Sequence, residues 1–306
     1  MTKTKITILV GFLGSGKTTL LKHIASLYQE GKIVIVVNEF GQQNLDIKRL
    51  ESHFKHSHEV TGGSIFCSCK SDQFIDTILA LSKEDFSHIF VEGSGLANPS
   101  SLPHILKILA KKTEDQVHYK GTIALVDPSN ISKITKTLNA AKNQLTYADM
   151  ILLNKVDLTT EDQIKDAIKT ISYFNHDAPI IPTLYSVIDK DKLEELESLE
   201  HQANYQQTMD MHLQKVCLQL EHPSKEDLEN LCQELTTKTD RIKGVYSSNQ
   251  ESFYTEYIDG KLHFEAIDFT GENYLILLST HKDYLKASIE EVLKKSKHAF
   301  SVCSLS

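Results

Sequence analysis

The sequence predicts a doubly wound α/β domain with a mostly parallel sheet, followed by a smaller α+β domain. Up to about residue 200, short apolar runs such as Ile6–Val10 and Ile33–Val37 alternate with longer amphipathic stretches, which is typical of βαβ units. Near residues 198–210 the sequence becomes polar and loses its apolar periodicity, which indicates a linker. We therefore expect one domain over residues 1–200 and a second over residues 211–306.

The elements of the first domain follow from the period of the apolar residues. The predicted strands are the apolar runs Ile6–Val10, Ile33–Val37, Ile89–Val91, Ile123–Val126, Met150–Leu153 and Ile180–Ile181. The predicted helices are the amphipathic stretches Lys17–Tyr28, Asp72–Leu81, Leu102–Lys111, Ile131–Asn143 and Glu161–Ile171. Because ligands of such sheets bind at the carboxyl ends of the strands, the residues that follow each strand are candidates for a binding site.

The second domain is predicted to be a small sheet with helices. Its strands are expected at Leu213–Leu220, Gly244–Ser247, Phe253–Ile258, Leu262–Ile267 and Tyr274–Leu278, and its helices at Lys225–Lys238 and Tyr284–Lys297. Asp259 and Gly260 can adopt the positive φ that a two-residue turn requires. The strands on either side of this turn are therefore predicted to form a hairpin.

Composition and charge exclude several classes of protein. The 306 residues include 33 Lys and Arg against 41 Asp and Glu, a formal net charge of −8, and no lysine-rich tract, so nucleic acid is not an expected partner. No apolar window has the length of a membrane helix, so no membrane partner is expected. Five cysteines without a repeating spacing do not predict a disulfide framework, and we expect a soluble cytoplasmic protein.

A phosphate-binding loop is predicted between the first strand and the first helix. The sequence GFLGSGKTT, residues 11–19, matches the pattern G-x-x-x-x-G-K-[ST]. Its glycines allow successive backbone N–H groups to face an anion, Lys17 can reach the β- and γ-phosphates as a catalytic group, and the Thr18 hydroxyl can bind Mg²⁺. The nucleotide-binding residues predicted here are Gly14, Ser15, Gly16, Lys17, Thr18 and Thr19.

The ends of two later strands carry the residues expected to hold the metal ion and to recognise the base, which a phosphate loop does not provide. Glu92 ends the strand in SHIFVEGSG, where a catalytic carboxylate can hold the metal or its water, and Gly95 lets the backbone approach the γ-phosphate. The segment NKVD ends another strand, and its Asp157 can accept hydrogen bonds from the N1 and N2 donors that guanine has and adenine lacks. Asn154 would brace the loop, and the stem of Lys155 would cover the base. Together these segments predict GTP rather than ATP.

These segments resemble the CobW-type GTPases, relatives of the nickel-insertion GTPases UreG and HypB. The resemblance rests on GFLGSGKTT, VNEFGQQNLD, VEGSGLANP and NKVD, and on RIKG in the second domain. It implies a P-loop GTPase domain with a CobW-like C-terminal domain. It also implies slow GTP hydrolysis coupled to the delivery of zinc or cobalt, or to the assembly of a metalloenzyme. A homodimer across the nucleotide would be consistent with the nickel-insertion relatives.

By the same resemblance, NEFG corresponds to the first switch of the GTPase. Glu39 is then a predicted catalytic residue and metal or water ligand, and Asp46 is predicted to position the attacking water. Such a segment is ordered while it contacts γ-phosphate and Mg²⁺ and is released after hydrolysis. A solvated loop carboxylate remains the alternative for Glu39. Arg49 and Arg241 are the only arginines, so a self-supplied arginine finger has few candidates and slow hydrolysis is expected without a partner.

The segment TGGSIFCSCK is the predicted site of a transition metal. The family pattern has cysteines at C-x-C-C, whereas Ser64 and Phe66 replace two of them here and Cys67 and Cys69 are present. These two thiols could share one Zn²⁺ or Co²⁺ ion if they lie on an irregular loop. Glu39 is a predicted further ligand, and the other candidate donors are His53, His56 and His58.

Three functions remain open on the sequence. The first is a GTP-gated metallochaperone that holds zinc or cobalt with Cys67, Cys69 and Glu39. The second is a GTPase switch that acts on a client, for example a corrinoid-dependent enzyme, without carrying metal itself. The third is a small-molecule kinase that uses the same phosphate loop. The guanine-type segment and the lack of an identifiable acceptor site in the sequence count against the kinase.

Overall fold

The chain forms two compact units, Met1–Asp210 and Met211–Ser306. The computed structural model describes residues 3–28, 31–39, 57–61, 71–95, 97–199, 214–220, 224–236, 239, 241–248, 251–258, 261–267, 273–279, 289, 292 and 300–305. Among these residues, no helix is long and apolar enough to cross a membrane.

The first unit is built on a seven-stranded sheet in which every pair of neighbouring strands is parallel. Its strands are β1 (Thr4–Gly11), β2 (Ile33–Glu39), β3 (Ser57–Thr61), β4 (His88–Glu92), β5 (Val117–Val126), β6 (Met150–Asn154) and β7 (Ile180–Thr183). They lie in the order β3-β2-β4-β1-β5-β6-β7. The predicted doubly wound, mostly parallel sheet is therefore confirmed.

Helices connect these strands and cover the sheet. They are α1 (Lys17–Leu27), α2 (Ser71–Leu81), α3 (Leu102–Lys112), α4 (Ile131–Thr137), α5 (Asn139–Thr146), α6 (Glu161–Phe174) and α7 (Lys190–Glu194). Short 3₁₀ turns occur at Pro99–Ser101 and Val156–Leu158. The start of α6 is fixed by a capping box, in which Thr160 and Gln163 exchange side-chain and backbone hydrogen bonds.

Apolar clusters lie on both faces of this sheet. Ile8 and Val10 of β1 belong to the cluster that includes α2 and α3, whereas Leu9 belongs to the cluster that includes α1. Successive side chains of a strand point to opposite faces, so β1 is buried on both sides. This double burial is the reason that β1 has a nearly continuous apolar run in the sequence, interrupted only by Thr7 between Ile6 and Val10.

The strand β3 was not among the predicted strands. Its sequence, SHEVT, is polar, and it lies at the edge of the sheet, where it pairs with β2 from Ile35 opposite Ser57 to Glu39 opposite Thr61. Backbone hydrogen bonds to one neighbour form an edge strand, and they do not require an apolar run. The short helix α7 was not predicted either, because its five residues span little more than one turn and show no apolar period.

The single helix predicted over Ile131–Asn143 is wrong, because the structure has two helices there. Leu138 separates α4 from α5 with an extended backbone, φ −117° and ψ 115°. The change of direction allows α5 to hold the loop that follows β4. Its Gln144 side chain donates to the carbonyl of Ala97 at 2.9 Å, and its Asn143 side chain donates to Asn98 Oδ1 at 2.8 Å.

The second unit contains a six-stranded antiparallel sheet. Its strands are β8 (Gln214–Leu220), β9 (Arg241–Ser248), β10 (Glu251–Ile258), β11 (Lys261–Ile267), β12 (Tyr274–Ser279) and β13 (Phe300–Leu305), in the order β11-β10-β9-β12-β8-β13. The helix α8 (Lys225–Leu235) packs its Leu228, Leu231 and Leu235 against one face of the sheet. The smaller α+β domain is therefore confirmed as a fold.

The predicted hairpin of the second unit is confirmed by the pairing of its strands. In the register of β10 with β11, Ile258 lies opposite Lys261, so a two-residue connection joins them. The turn residues themselves, Asp259 and Gly260, lie outside the described residues. The linker near 198–210 and the helix predicted over Tyr284–Lys297 also lie largely outside them. The edge strand β13 was not predicted, because its polar and apolar residues do not form an apolar run.

Candidate nucleotide site

Neighbouring strands of the first unit end along one edge of the sheet. In spatial order, β2, β4, β1, β5 and β6 end at Glu39, Glu92, Gly11, Val126 and Asn154. Residues Phe12–Gly16, here called the phosphate loop, follow β1 in the middle of this edge. Glu92 therefore ends the strand on one side of the phosphate loop, and the NKVD segment lies beyond β5 on the other side. The backbone of Glu39 ends β2, and its side chain is outside the described residues.

The phosphate loop is a tight turn that depends on two glycines. Gly14 has φ 75° and Gly16 has φ 109°, both in the left-handed region that side chains disfavour. A Cβ atom added at Gly14 would meet nothing within 4 Å. At Gly16 it would lie 2.4 Å from Asn154 Nδ2 and 2.5 Å from Ser186 Oγ. Gly14 is therefore required for its conformation, and Gly16 for both its conformation and its lack of a side chain.

The lysine of the motif is held at this loop. Lys17 is the first residue of α1 and only 6% exposed, and its Nζ atom donates to the carbonyl of Gly11 at 2.8 Å and to that of Phe12 at 3.4 Å. Next to it, Thr18 is half-buried and Thr19 is exposed. A positive charge therefore lies at the loop whose backbone turns at the N-terminus of α1, an arrangement suited to an anion.

Buried hydroxyl groups at this edge lack hydrogen-bond partners. Among the described residues, the hydroxyl oxygens of Ser15 and Ser94 are buried and make no hydrogen bond. Such a group costs about 1–3 kcal/mol unless a ligand or water satisfies it. Glu92 is also buried, and its carboxylate and the Thr18 hydroxyl are oxygen donors of the kind that Mg²⁺ prefers. The residues present therefore fit a phosphorylated ligand with a magnesium ion.

Asn154 joins the phosphate loop to two other loops. Its buried amide donates from Nδ2 to the carbonyl of Ser15 at 2.9 Å and to Ser186 Oγ at 2.8 Å, and its Oδ1 accepts from the backbone N–H of Ser186 at 2.8 Å. Ser186 Oγ in turn donates to the carbonyl of Gly16 at 3.1 Å. The side chain that begins the NKVD segment is therefore bound to both the phosphate loop and the loop after β7.

The loop after β7, Leu184–Ile188, is here called the closing loop. Tyr185 and Ser186 both have left-handed backbones, with φ 51° and 56°. This conformation costs a residue other than glycine about 1–2 kcal/mol, and the hydrogen bonds of Ser186 to Asn154 and Gly16 offset that cost. At the far end of the loop, His23 Nε2 of α1 donates to the carbonyl of Ile188 at 2.7 Å. The closing loop is thus fastened to three neighbouring segments.

The remaining part of the site is the base loop, Lys155–Leu158. Lys155 has a left-handed backbone, φ 62°, and its Nζ atom lies 3.0 Å from Asp127 Oδ2. Asp127 Oδ1 accepts from the N–H of Ser129 at 2.9 Å and from its Oγ at 2.6 Å. Burial alone would raise the pKa of Asp127, but these hydrogen bonds and the charge of Lys155 outweigh it and lower the pKa below its usual value. Asp157 is exposed.

Several predicted site residues cannot be placed by the structure. Asp46, Cys67 and Cys69 lie outside the described residues, as do His53 and His56. His58 is in β3, but its side chain is not described. Within the described part of the chain, no group of three or more His, Cys, Asp or Glu side chains could hold a metal ion.

Two residues of the site, Ser186 and Asp127, were missed on the sequence. Neither belongs to a motif. Ser186 makes two hydrogen bonds with Asn154, and Asp127 forms an ion pair with Lys155. Their positions in the sequence nevertheless gave an indication. Ligands of parallel sheets bind at the carboxyl ends of strands, and these residues follow β7 and β5 directly or within a few positions.

Proteins with related sequences include metal chaperones. The chain is 32% identical over 192 residues to the zinc chaperone YjiA of Escherichia coli strain K12, covering 60% of this chain and 58% of that protein. It is 26% identical over 222 residues to the zinc-regulated GTPase metalloprotein activator 1 of Dictyostelium discoideum, covering 61% of this chain and 47% of that protein. The chain thus spans about half the length of the curated relatives it matches.

Solved structures of related shape include the Zn(II)-bound YjiA GTPase from Escherichia coli, with a TM-score of 0.48 at 20% identity, covering 97% of this chain and 100% of that one. The family model described as CobW/HypB/UreG, nucleotide-binding domain, matches residues 5–182. This range runs from β1 to β7 and contains the phosphate loop, Glu92 and the NKVD segment. Since it covers more than half of the 306 residues, the chain belongs to the CobW/HypB/UreG family.

Proposed function

We propose that this protein binds GTP with Mg²⁺, hydrolyses the GTP slowly, and couples this cycle to the delivery of zinc or cobalt or to the assembly of a metalloenzyme. The observation that carries the nucleotide part is the amide of Asn154. It joins a phosphate loop to a guanine-type NKVD segment through hydrogen bonds at 2.8–2.9 Å. Two loops suited to the two ends of one nucleotide are therefore held in a fixed relation.

Guanine selectivity is assigned to Asp157. The amide of Asn154 is already bonded to Ser15 and Ser186, so it braces the loops and does not read the base. Asp157 is exposed at the same edge, and a carboxylate there can accept from both N1–H and N2–H of guanine. Adenine presents no donor at these positions, so ATP would leave the carboxylate without partners.

The phosphate end of the site is assigned to residues on the other side of the edge. Lys17 would contact the β- and γ-phosphates, and the backbone of Gly14, Ser15 and Gly16 would cradle them. Thr18 and Glu92 would hold Mg²⁺ directly or through water, and Glu39 is a proposed further ligand. When bound, the ion neutralises charge on the phosphoryl oxygens. Thr19 follows on the exposed side of α1.

Slow hydrolysis follows from the shortage of groups that would accelerate it. Arg49 and Arg241 are the only arginines of the chain, and Arg241 belongs to the second unit. An arginine supplied to the transferring phosphoryl group raises GTPase rates by about 10³–10⁵. We therefore propose that a partner stimulates the reaction, with Asp46 positioning the attacking water.

The guanine assignment is tested by Asp157→Asn. An amide can accept from only one of the two guanine donors, so the variant should bind GDP about 100-fold more weakly, the effect of losing one hydrogen bond to a charged group. Its N–H₂ group can instead donate to the second carbonyl of xanthine, so binding of XDP should improve. Asp166→Asn, at an exposed position of α6, is the matched control and should bind GDP as the unaltered protein does. Unchanged GDP binding by Asp157→Asn, or equal competition by ATP, would contradict the assignment.

Delivery of metal is proposed with Cys67, Cys69 and Glu39 as the ligands. The relatives named for zinc support zinc as the cargo. In the second candidate function, the protein is a GTPase switch that acts on its client without carrying metal. The observation in its favour is that Ser64 and Phe66 replace two cysteines of the family pattern.

Cobalt binding distinguishes the two candidates. Stoichiometric Co²⁺ added to the metal-free protein should produce a thiolate-to-cobalt charge-transfer band, which Cys67→Ser should abolish. Cys217→Ser is the control, because Cys217 is a buried residue of β8 in the second unit and should not affect the band. The absence of a band in the unaltered protein would favour the switch that carries no metal.

For partners and location, we propose a metalloprotein client, with corrinoid-dependent enzymes as one class to examine, and a homodimer across the nucleotide. The support is membership of the CobW/HypB/UreG family. A cytoplasmic location is proposed because the five cysteines show no disulfide spacing.

A further inference from the structure

Asp127 lies at a position that no motif of the sequence marks. It directly follows β5, and β5 lies between β1, which leads into the phosphate loop, and β6, which leads into the base loop. Asp127 shares the lining of a cavity beside the phosphate loop with Gly11 and Ser15. Asp127 therefore lies at the edge of the sheet between the strand that leads into the phosphate loop and the strand that leads into the base loop.

The carboxylate of Asp127 is fixed from both sides. Its Oδ1 accepts two hydrogen bonds from Ser129, at 2.9 Å from the backbone N–H and at 2.6 Å from the hydroxyl. Its Oδ2 faces the ammonium of Lys155 at 3.0 Å. The Asp127 side chain is only 12% exposed and that of Lys155 is 31% exposed, so solvent screens this ion pair less than a surface pair.

The ion pair determines where the stem of Lys155 can lie. The Lys155 backbone is at the end of β6 in a left-handed conformation, and its ammonium is at the end of β5. Its four methylene groups therefore run from one strand end to the next along the edge of the sheet. Without the pair, this flexible side chain would have many rotamers available, and fixing it on a ligand would cost conformational entropy.

We propose that Asp127 is a positioning residue for the guanine base: it holds the Lys155 stem in place as an apolar floor on which the base packs. The inference rests on the proposed function, because it assumes that a guanine nucleotide occupies this edge. In this role Asp127 does not touch the base and acts through Lys155. Its carboxylate also has lone pairs that could accept from a ribose hydroxyl, which is a different role that the experiment separates.

The experiment compares GDP with inorganic tripolyphosphate, a probe that has no base, by calorimetry on the full chain. Asp127→Asn should weaken GDP binding about tenfold, the effect of losing one charge-assisted hydrogen bond. It should leave tripolyphosphate binding within about twofold, because the phosphate loop does not use this contact. Asp127→Glu should restore part of the GDP affinity. The control is Asp85→Asn, since Asp85 forms an exposed ion pair with Lys32 before β4.

Action through Lys155 is tested by a double-mutant cycle. Lys155→Met keeps an apolar stem and removes the charge, so Asp127→Asn should cause no further loss of GDP affinity in that background. A contact with ribose predicts instead that the effect of Asp127→Asn disappears with 2′-deoxy-GDP or 3′-deoxy-GDP. Ser129→Ala leaves the ion pair in place and frees one side of the carboxylate, so it should lower GDP affinity by less than Asp127→Asn does. It tests the inference if Asp127→Asn folds poorly.

The measurements distinguish a failure of the inference from a failure of the proposed function. Full GDP affinity in Asp127→Asn, additive effects with Lys155→Met, or an equal loss of tripolyphosphate binding would overturn the inference while leaving GTP binding intact. A failure of the unaltered protein to bind GDP would overturn the proposed function and this inference with it.

Discussion

The role proposed for Asn154 is to act on the nucleotide through the protein. Its amide bonds to Ser15 and Ser186, which belong to segments far apart in the sequence, and it is 3% exposed. Removing it would take away the partner of the Ser186 backbone N–H and that of the Ser15 carbonyl, at about 1–3 kcal/mol each. At the scale of single residues, the site therefore depends on buried polar groups that satisfy one another.

The crowding at Gly16 predicts that alanine lowers the free energy of unfolding more at Gly16 than at Gly14. Gly14→Ala should lower the free energy of unfolding by about 1 kcal/mol, because only its positive φ is strained. Gly16→Ala should lower it by about 3 kcal/mol or more, because its Cβ would also displace the side chains of Asn154 and Ser186. Urea denaturation measures both values. Equal losses in the two variants would show that the contact with Asn154 does not limit position 16.

His88 gives a prediction about pH. The first residue of β4, it is 1% exposed, shares a hydrogen bond with Thr7 at 2.8 Å, and stacks on Phe90 with ring centroids 4.0 Å apart. Burial lowers the pKa of His88 to about 3, helped by Lys5 and Lys120 and opposed by Glu194. The unfolded chain binds a proton here near pH 6.5, whereas the folded chain does not, so folding should weaken as the pH falls below 6.5.

For this single group, the free energy of unfolding should fall by about 1 kcal/mol between pH 7.5 and pH 5.5. Other histidines titrate in the same range, so the measurement is the difference between the unaltered protein and His88→Gln in urea denaturation at both pH values. The variant should show a smaller dependence on pH. The same dependence in both proteins would mean that the pKa of His88 does not differ between the folded and unfolded states.

At the scale of elements, the closing loop provides a place for an optical probe. Tyr185 is 75% exposed and directly precedes Ser186, whose backbone N–H is bonded to Asn154. The chain has no tryptophan, so Tyr185→Trp would be its only indole emitter. We expect GDP to change its emission, because the closing loop borders the base loop at the end of β7. Tyr173→Trp on α6, 78% exposed, is the matched control and should not respond.

The elements also show what could be predicted from the sequence. Strands buried on both faces, such as β1 and β6, were predicted because most of their residues form apolar runs. The edge strands β3 and β13 were missed because their residues form no apolar run, whereas the edge strands β7 and β11 were predicted. The break at Leu138 was missed because it depends on contacts that α5 makes with the loop after β4.

The candidate site could be predicted to the extent that it consists of motifs. The phosphate loop, Glu92 and the NKVD segment each have a recognisable spacing, and the parallel order of the strands places them on one edge. Ser186 and Asp127 could not be predicted in the same way. Each is a single residue selected by a contact with Asn154 or Lys155, and such a contact exists only once the strands are side by side.

At the scale of the whole molecule, the described parts of the candidate site belong to the first unit. The apolar clusters on the two faces of its sheet contain residues of this unit only, and the cluster of the second unit contains none of them. Each unit thus has its own core, as expected of a domain. The described residues of the candidate site therefore share no apolar cluster with the second unit.

A protein truncated after Asp210 should consequently fold and bind GDP within about threefold of the full chain. Calorimetry and circular dichroism measure the two properties, and the fragment Met211–Ser306 is the control that should not bind GDP. A truncated protein that folds and has lost GDP affinity would show that the second unit contributes to the nucleotide site.

The hydrogen bonds between Asn154, Ser186 and the phosphate loop also have a thermodynamic consequence. A ligand that immobilises one of these loops reduces the conformational entropy that remains to be lost in the others. Guanosine and tripolyphosphate, added as separate molecules, should then each increase the affinity for the other by the same factor, as linkage requires. Binding at the base end and binding at the phosphate end would then be coupled through the protein, even when no covalent bond joins the two ligands.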